Sequence, residues 1–162
     1  NTYNLLHYDE KWIKELYISS YQNIELDIDK LNSFLNSIIN KNKIDLVVTS
    51  GKKSSLPLDQ LKKTMNLLSD NIYFKKNNKN YLYYIEQPSF NELIEVIYKS
   101  NLCITCHGSP THISSSFDVK TIDIVDGSKI LIYRAYTKHL QNYNEVMRGN
   151  ANETTKKILS LL

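Results

Sequence analysis

Short runs of β-branched and apolar residues alternate along this chain with stretches whose apolar residues recur at helical spacing. That alternation is the mark of crossover units feeding a parallel sheet. Tyr3-Asn4-Leu5-Leu6-His7 reads as the first strand. Leu31, Phe34, Leu35, Ile38 and Ile39 follow at i, i+3, i+4, i+7 and i+8, predicting an amphipathic helix over residues 30–41 with Asp29 as its N-cap. Ile44 to Thr49 is a second strand ending at Ser50-Gly51, and Pro57 opens a helix with Leu58, Leu61, Met65 and Leu68 on one face.

The pattern continues through a short Ile72-Tyr73-Phe74 strand and a polar Lys/Asn turn. Ser89-Phe90-Asn91-Glu92 has the form of a capping box, with Phe90, Leu93, Ile94 and Ile97 at helical spacing behind it. Leu102 to Cys106 reads as a buried strand, His107 to Pro110 as a tight turn, Thr111 to Phe117 as a short helix and Thr121 to Val125 as a further strand. Ile130 to Tyr133 is a strand candidate, Arg134 to Asn150 has poor periodicity, and the segment after Asn152 reads as a terminal helix carrying Ile158, Leu159 and Leu162. The expectation is an α/β fold, a Rossmann-like three-layer sandwich with a mainly parallel sheet of four or five strands.

A length of 162 residues suits one domain, here 1–162, able to bury about two thirds of its unfolded surface. With 41% hydrophobic and 23% charged residues the chain lies in the globular range. The net charge of +3 comes from 20 basic and 17 acidic residues spread along the sequence. No dense basic stripe of the kind nucleic acid selects is present. A mild excess suits an anionic small ligand or peripheral contact with a membrane surface. No apolar run reaches the roughly 18 residues a membrane span needs, and the opening Asn1-Thr2-Tyr3-Asn4 lacks the charged and apolar regions of a signal peptide, so the expected location is cytoplasmic.

In open parallel sheets ligands bind beyond the carboxyl ends of strands, where helix N-termini offer free amides and a favourable dipole to anions. His107-Gly108-Ser109-Pro110-Thr111-His112 occupies such a position. Gly108 lets a ligand approach the backbone, Ser109 can cap, Pro110 suits a first helical turn, and Thr111 and His112 bring a hydroxyl and an imidazole. A diphosphate would suit this loop. Ser-Pro before a helix is also ordinary capping chemistry, and a single His is as readily a surface residue.

Cys103-Ile104-Thr105-Cys106-His107 matches the C-x-x-C-H pattern for covalent haem, but it falls at the end of a β-branched strand running into a capped helix, and no export signal accompanies it. A strand turns the two cysteines to different faces, which disfavours a dithiol, and zinc would need more ligands. Two buried free thiols are expected.

Ser89 to Val125 resembles the donor-binding segment of the heptosyltransferase family (glycosyltransferase family 9), of GT-B fold. There a helix with a Ser-x-x-Glu-Leu start leads into a strand, a loop of the form Asp-Gly-Gly-Pro-x-His, a small-residue helix and another strand. Ser89, Glu92 and Leu93, then Gly108, Pro110 and His112, match that order and spacing. His107 stands where the family has an acidic residue and Ser109 where it has a second glycine. The resemblance covers about 40 residues closely and the rest by topology. It implies the donor-binding half of a GT-B enzyme, preceded in a longer protein by an N-terminal domain that holds the acceptor site and general base.

The same resemblance puts Lys11 where the family has a donor-contacting lysine, and Gly51 at the second βα loop bordering the nucleoside. Lys11 reads equally well as a solvated surface lysine, and Gly51 as a turn glycine. The family's acidic ribose contact is not evident, since Lys52, Lys53, Ser54 and Ser55 stand there. The expected donor- and phosphate-binding set is therefore His107, Gly108, Ser109, Pro110, Thr111, His112, Lys11 and Gly51. The implied activity moves a sugar from a nucleotide-activated donor to a glycan or lipid-linked acceptor of cell-envelope type, at the inner face of a membrane. It needs no cofactor or metal. The competing readings are a nucleotide-sugar epimerase of the same fold, which needs carboxylates in its cleft, and a non-catalytic nucleotide- or partner-binding module.

Overall fold

A computed structural model describes residues 3–8, 26–51 and 55–162. Among these residues eight strands form one sheet: β1 (Tyr3–Tyr8), β2 (Asp45–Ser50), β3 (Asn66–Ser69), β4 (Ile72–Asn77), β5 (Asn80–Ile85), β6 (Leu102–Cys106), β7 (Lys120–Val125) and β8 (Tyr143–Met147). Their spatial order is β3-β4-β5-β2-β1-β6-β7-β8. The six strands from β5 to β8 in that row run parallel, while β3 and β4 are antiparallel additions at one edge. Counting only parallel strands in chain order, the sequence of positions is 3-2-1-4-5-6, the doubly wound Rossmann arrangement. The order reverses between β1 and β6, the kind of position beyond whose carboxyl ends ligands bind in doubly wound sheets.

Among the described residues six helices cover the sheet: α1 (Ile28–Asn42), α2 (Leu56–Lys62), α3 (Phe90–Tyr98), α4 (Ser109–Ser116), α5 (Ile130–Thr137) and α6 (Ala151–Leu161). On one face α1 packs against α2 and α6. Leu31, Phe34, Leu35, Ile38 and Ile39 are all buried there with Leu6, Val48, Ile104 and Ile122 from the strands. Burying each such side chain contributes about 1.5–3 kcal/mol before the entropy of ordering the chain is subtracted. On the other face α3 packs against α4, over a smaller cluster of Leu5, Val47, Ile97, Cys103 and Val119.

Helix boundaries follow local chemistry. The N-cap of α1 is Asp27, whose carboxylate accepts from the Lys30 amide at 2.8 Å; Asp29, the expected cap, lies in the first turn. The capping box of α3 is present in both halves, the Glu92 amide donating to Ser89 Oγ at 3.3 Å and the Ser89 amide to Glu92 Oε2 at 2.7 Å.

The expected four or five parallel strands are six, and further expectations are corrected. Ile130 to Tyr133 is helical: Asp126 accepts from the Ser128 amide and hydroxyl, winds residues 127–129 into a 3-10 turn, and the chain runs on into α5. Met65 and Leu68 do not extend α2, which ends at Lys62; Asn66–Ser69 pairs with β4 instead, so strand pairing overrides helical spacing. Asn80–Ile85, unassigned from the sequence, is a strand lying against the interior β2. It is reached through a two-residue hairpin whose Asn78 takes a φ of 56°, a left-handed value that asparagine tolerates. The poorly periodic stretch after Arg134 contains β8. No helix among the described residues is long and apolar enough to cross a membrane.

Candidate functional site

On the α3–α4 face the parallel strands present a polar row just below their carboxyl ends. Thr49, His7, Thr105, Asp123 and Glu145 stand side by side in register across β2, β1, β6, β7 and β8. Thr49, Thr105 and Asp123 are fully buried and His7 is 8% exposed. Residues of parallel strands covered on both faces are usually apolar, so a buried polar row must be internally paired. His7 Nδ1 lies 2.9 Å from Thr49 Oγ1, and burial lowers the imidazole to a pKa of about 4.

Asp123 is the centre of the densest polar network. Its Oδ1 accepts from the Thr111 hydroxyl at 3.0 Å, and its Oδ2 from the Tyr143 hydroxyl at 2.9 Å. His107 Nδ1 is 2.7 Å from the same Oδ2. A carboxylate can only accept, so Nδ1 carries a proton and donates it to Oδ2. The Thr111 hydroxyl also accepts from the Gly108 amide at 3.2 Å, tying the loop to the strand beneath. The His107 ring is 4.4 Å from Tyr133 of α5 and 5.6 Å, edge-on, from His112. Its side chain remains 16% exposed. Burial, with the nearby Asp123 charge second, raises the Tyr143 phenol above its usual range, so it persists as a donor.

The sequence-predicted loop lies where strand-end ligand sites form. His107 to His112 runs from the carboxyl end of β6 into the first turn of α4, on a strand that borders the order reversal. Ser109 and His112 are exposed, Gly108 is half-buried, and Pro110 and Thr111 are buried. An added Cβ at Gly108 would meet nothing nearer than 3.8 Å, and at Gly51 nothing within 4 Å. Neither glycine has a φ in the left-handed range. The chain's own packing and backbone therefore do not require glycine at either place. Gly51 follows β2, so the two glycines belong to βα loops at the same edge of the sheet. Lys11 lies outside the described residues.

His112 also borders an open depression of about 530 Å³ along α4, lined with it by Ser115, Asp118, His139, Leu140 and Gln141. Its size falls within the range of small-molecule sites. Among the described residues no cluster of His, Cys, Asp or Glu is suited to a metal ion. Cys103 and Cys106 are buried free thiols in different apolar clusters on opposite sheet faces, out of reach of each other, and burial pushes the Cys103 thiol up to about 12.

The parts that sequence reasoning missed are Asp123, Tyr143, Tyr133 and His7. One signal was available: a lone Asp between Ile122 and Ile124, within a strand otherwise suited to burial. No protein-family model matches the chain, and no significant match arises among curated proteins or solved structures.

Proposed function

We propose that this chain is the donor-binding domain of a glycosyltransferase, holding a nucleotide-activated sugar in the crevice beyond β1 and β6, with its phosphates at the start of α4. The observation that carries the reading is the open loop His107 to His112 at the carboxyl end of a strand beside the order reversal. Exposed Ser109 and His112 stand in the first turn of α4 there, where the helix dipole favours an anion. Gly108 and Gly51, free of steric need, leave room for a phosphate and a nucleoside to approach the backbone. The likeness to the heptosyltransferase donor segment supplies the substrate class. Thr111 acts from below, holding Gly108 and Asp123 in place rather than reaching the ligand. Lys11 belongs to the same proposal as a diphosphate contact.

In this reading the α4 dipole and the His112 imidazole stabilise the charge that develops on the departing nucleoside phosphate. A second domain of the same protein supplies the acceptor, a glycan or lipid-linked sugar, and closes the crevice to water. Calorimetric titration of the chain with ADP, UDP, GDP and CMP tests it. Saturable binding of one or more nucleotides, weakened by His112→Ala, is expected. Binding of none would leave a partner-binding module as the better account.

A further inference from the structure

The His107–Asp123 pair has the construction of a proton-accepting dyad. The carboxylate is fully buried, fixed by three donors from three different elements, and aligned on Nδ1 of an imidazole that keeps partial access to solvent. Holding a histidine by Nδ1 fixes its tautomer and leaves Nε2 as the basic nitrogen, an arrangement that serves general-base catalysis on unrelated folds. A plain phosphate contact needs none of this, because a surface lysine or the helix amides would suffice. Tyr133 against the ring and His112 at its edge restrict the imidazole further.

We propose that His107 is the general base of the transfer reaction and Asp123 its positioning residue. This rests on the donor-binding reading above. It moves the base from the partner domain, where the family resemblance would have it, to the donor loop. The acceptor hydroxyl gives its proton to Nε2 of His107 as its oxygen bonds to the anomeric carbon of the donor. The bond from that carbon to the phosphate oxygen breaks, and its electron pair leaves with the nucleoside phosphate. His107, now imidazolium and paired with Asp123, returns the proton to water.

The test uses the full chain and two readouts. Isotope-labelled histidine NMR of the wild-type chain should show Nδ1 of His107 protonated and hydrogen-bonded; a neutral ring with its proton on Nε2 overturns the dyad without any variant. Carbethoxylation by diethyl pyrocarbonate, followed by peptide mass spectrometry, reads the nucleophilicity of Nε2. His107 should react at least as fast as exposed His139 despite being mostly covered. Asp123→Asn should slow His107 about tenfold and leave His139 unchanged. Slow modification of His107 in the wild type, or no response to Asp123→Asn in a folded variant, overturns the base assignment. If UDP, GDP, ADP or CMP binds and shields His107 about threefold or more, base and donor share one site. Binding without shielding refutes the placement beside the donor. Failure of all four nucleotides to bind removes the donor reading instead, and with it the transfer step.

Discussion

Tyr143 of β8 donates its phenolic hydrogen to Oδ2 of Asp123 on β7 at 2.9 Å, linking the last parallel strand to the carboxylate that also holds the loop after β6. The bond crosses from a half-buried aromatic to a fully buried charge. Removing it with Tyr143→Phe takes away one of three donors and puts no other polar group in its place. We expect a loss of about 1–3 kcal/mol in unfolding free energy, the cost of leaving a buried acceptor short of a partner. Urea denaturation followed by circular dichroism measures it. A change indistinguishable from zero would mean that water replaces the hydroxyl and that Asp123 is less enclosed than its surroundings indicate.

His7 makes folding sensitive to acid. Its folded-state pKa of about 4 lies below the ordinary imidazole value of 6.5, with burial as the cause. Between those values the unfolded chain binds a proton that the folded chain does not. The neutral His7 contribution is therefore complete above about pH 6.5 and is lost as pH falls toward about 4, amounting to roughly 3 kcal/mol. Urea midpoints across that interval should fall as pH falls. His7→Asn, which keeps a donor near Thr49 Oγ1 but cannot titrate, should be less stable throughout and lack most of that slope.

The cysteines give a direct check on the sheet. Cys103 and Cys106 are three residues apart on β6 and belong to opposite apolar clusters, both nearly inaccessible. Burial holds the Cys103 thiol at about 12, so little nucleophilic thiolate forms near neutral pH. Ellman's reagent should find neither thiol within minutes in the native protein and both in guanidinium. Haem added under reducing conditions should form no thioether adduct. Rapid native reaction of either cysteine would mean that β6 is not an interior strand.

These tests fall on features of differing visibility in the sequence. Elements whose cause is local were legible: the Ser89–Glu92 capping box, the α1 stripe from Leu31 to Ile39 and the apolar β6 run follow from neighbouring residues. Where a partner far along the chain decides, local spacing misleads. Leu68 sits at helical spacing from Leu61 yet stands on a strand paired with β4, and Ile130 to Tyr133 carries strand-forming residues yet winds as a helix begun by Asp126. The site divides in the same way. The loop from His107 to His112 announces itself by its glycine, proline and imidazoles. Its support does not, because Asp123 and Tyr143 meet His107 only through the register of β6, β7 and β8.

The two glycines at the carboxyl edge separate ligand need from folding need. At Gly108 a methyl group would find its nearest neighbours 3.8 Å away, and at Gly51 it would find open space. Neither residue has the left-handed φ that glycine alone adopts easily. Gly108→Ala and Gly51→Ala should therefore keep unfolding free energies within about 1 kcal/mol of the parent, with a small gain possible from the reduced freedom of the unfolded chain. A phosphate or nucleoside resting on the backbone would meet the new methyl directly. Nucleotide affinity should then fall about tenfold or more in each variant, as read by calorimetric titration alongside thermal melts of the same samples. Unchanged stability with unchanged affinity would show that the bound nucleotide does not touch these loops, and the donor would have to lie elsewhere along the crevice.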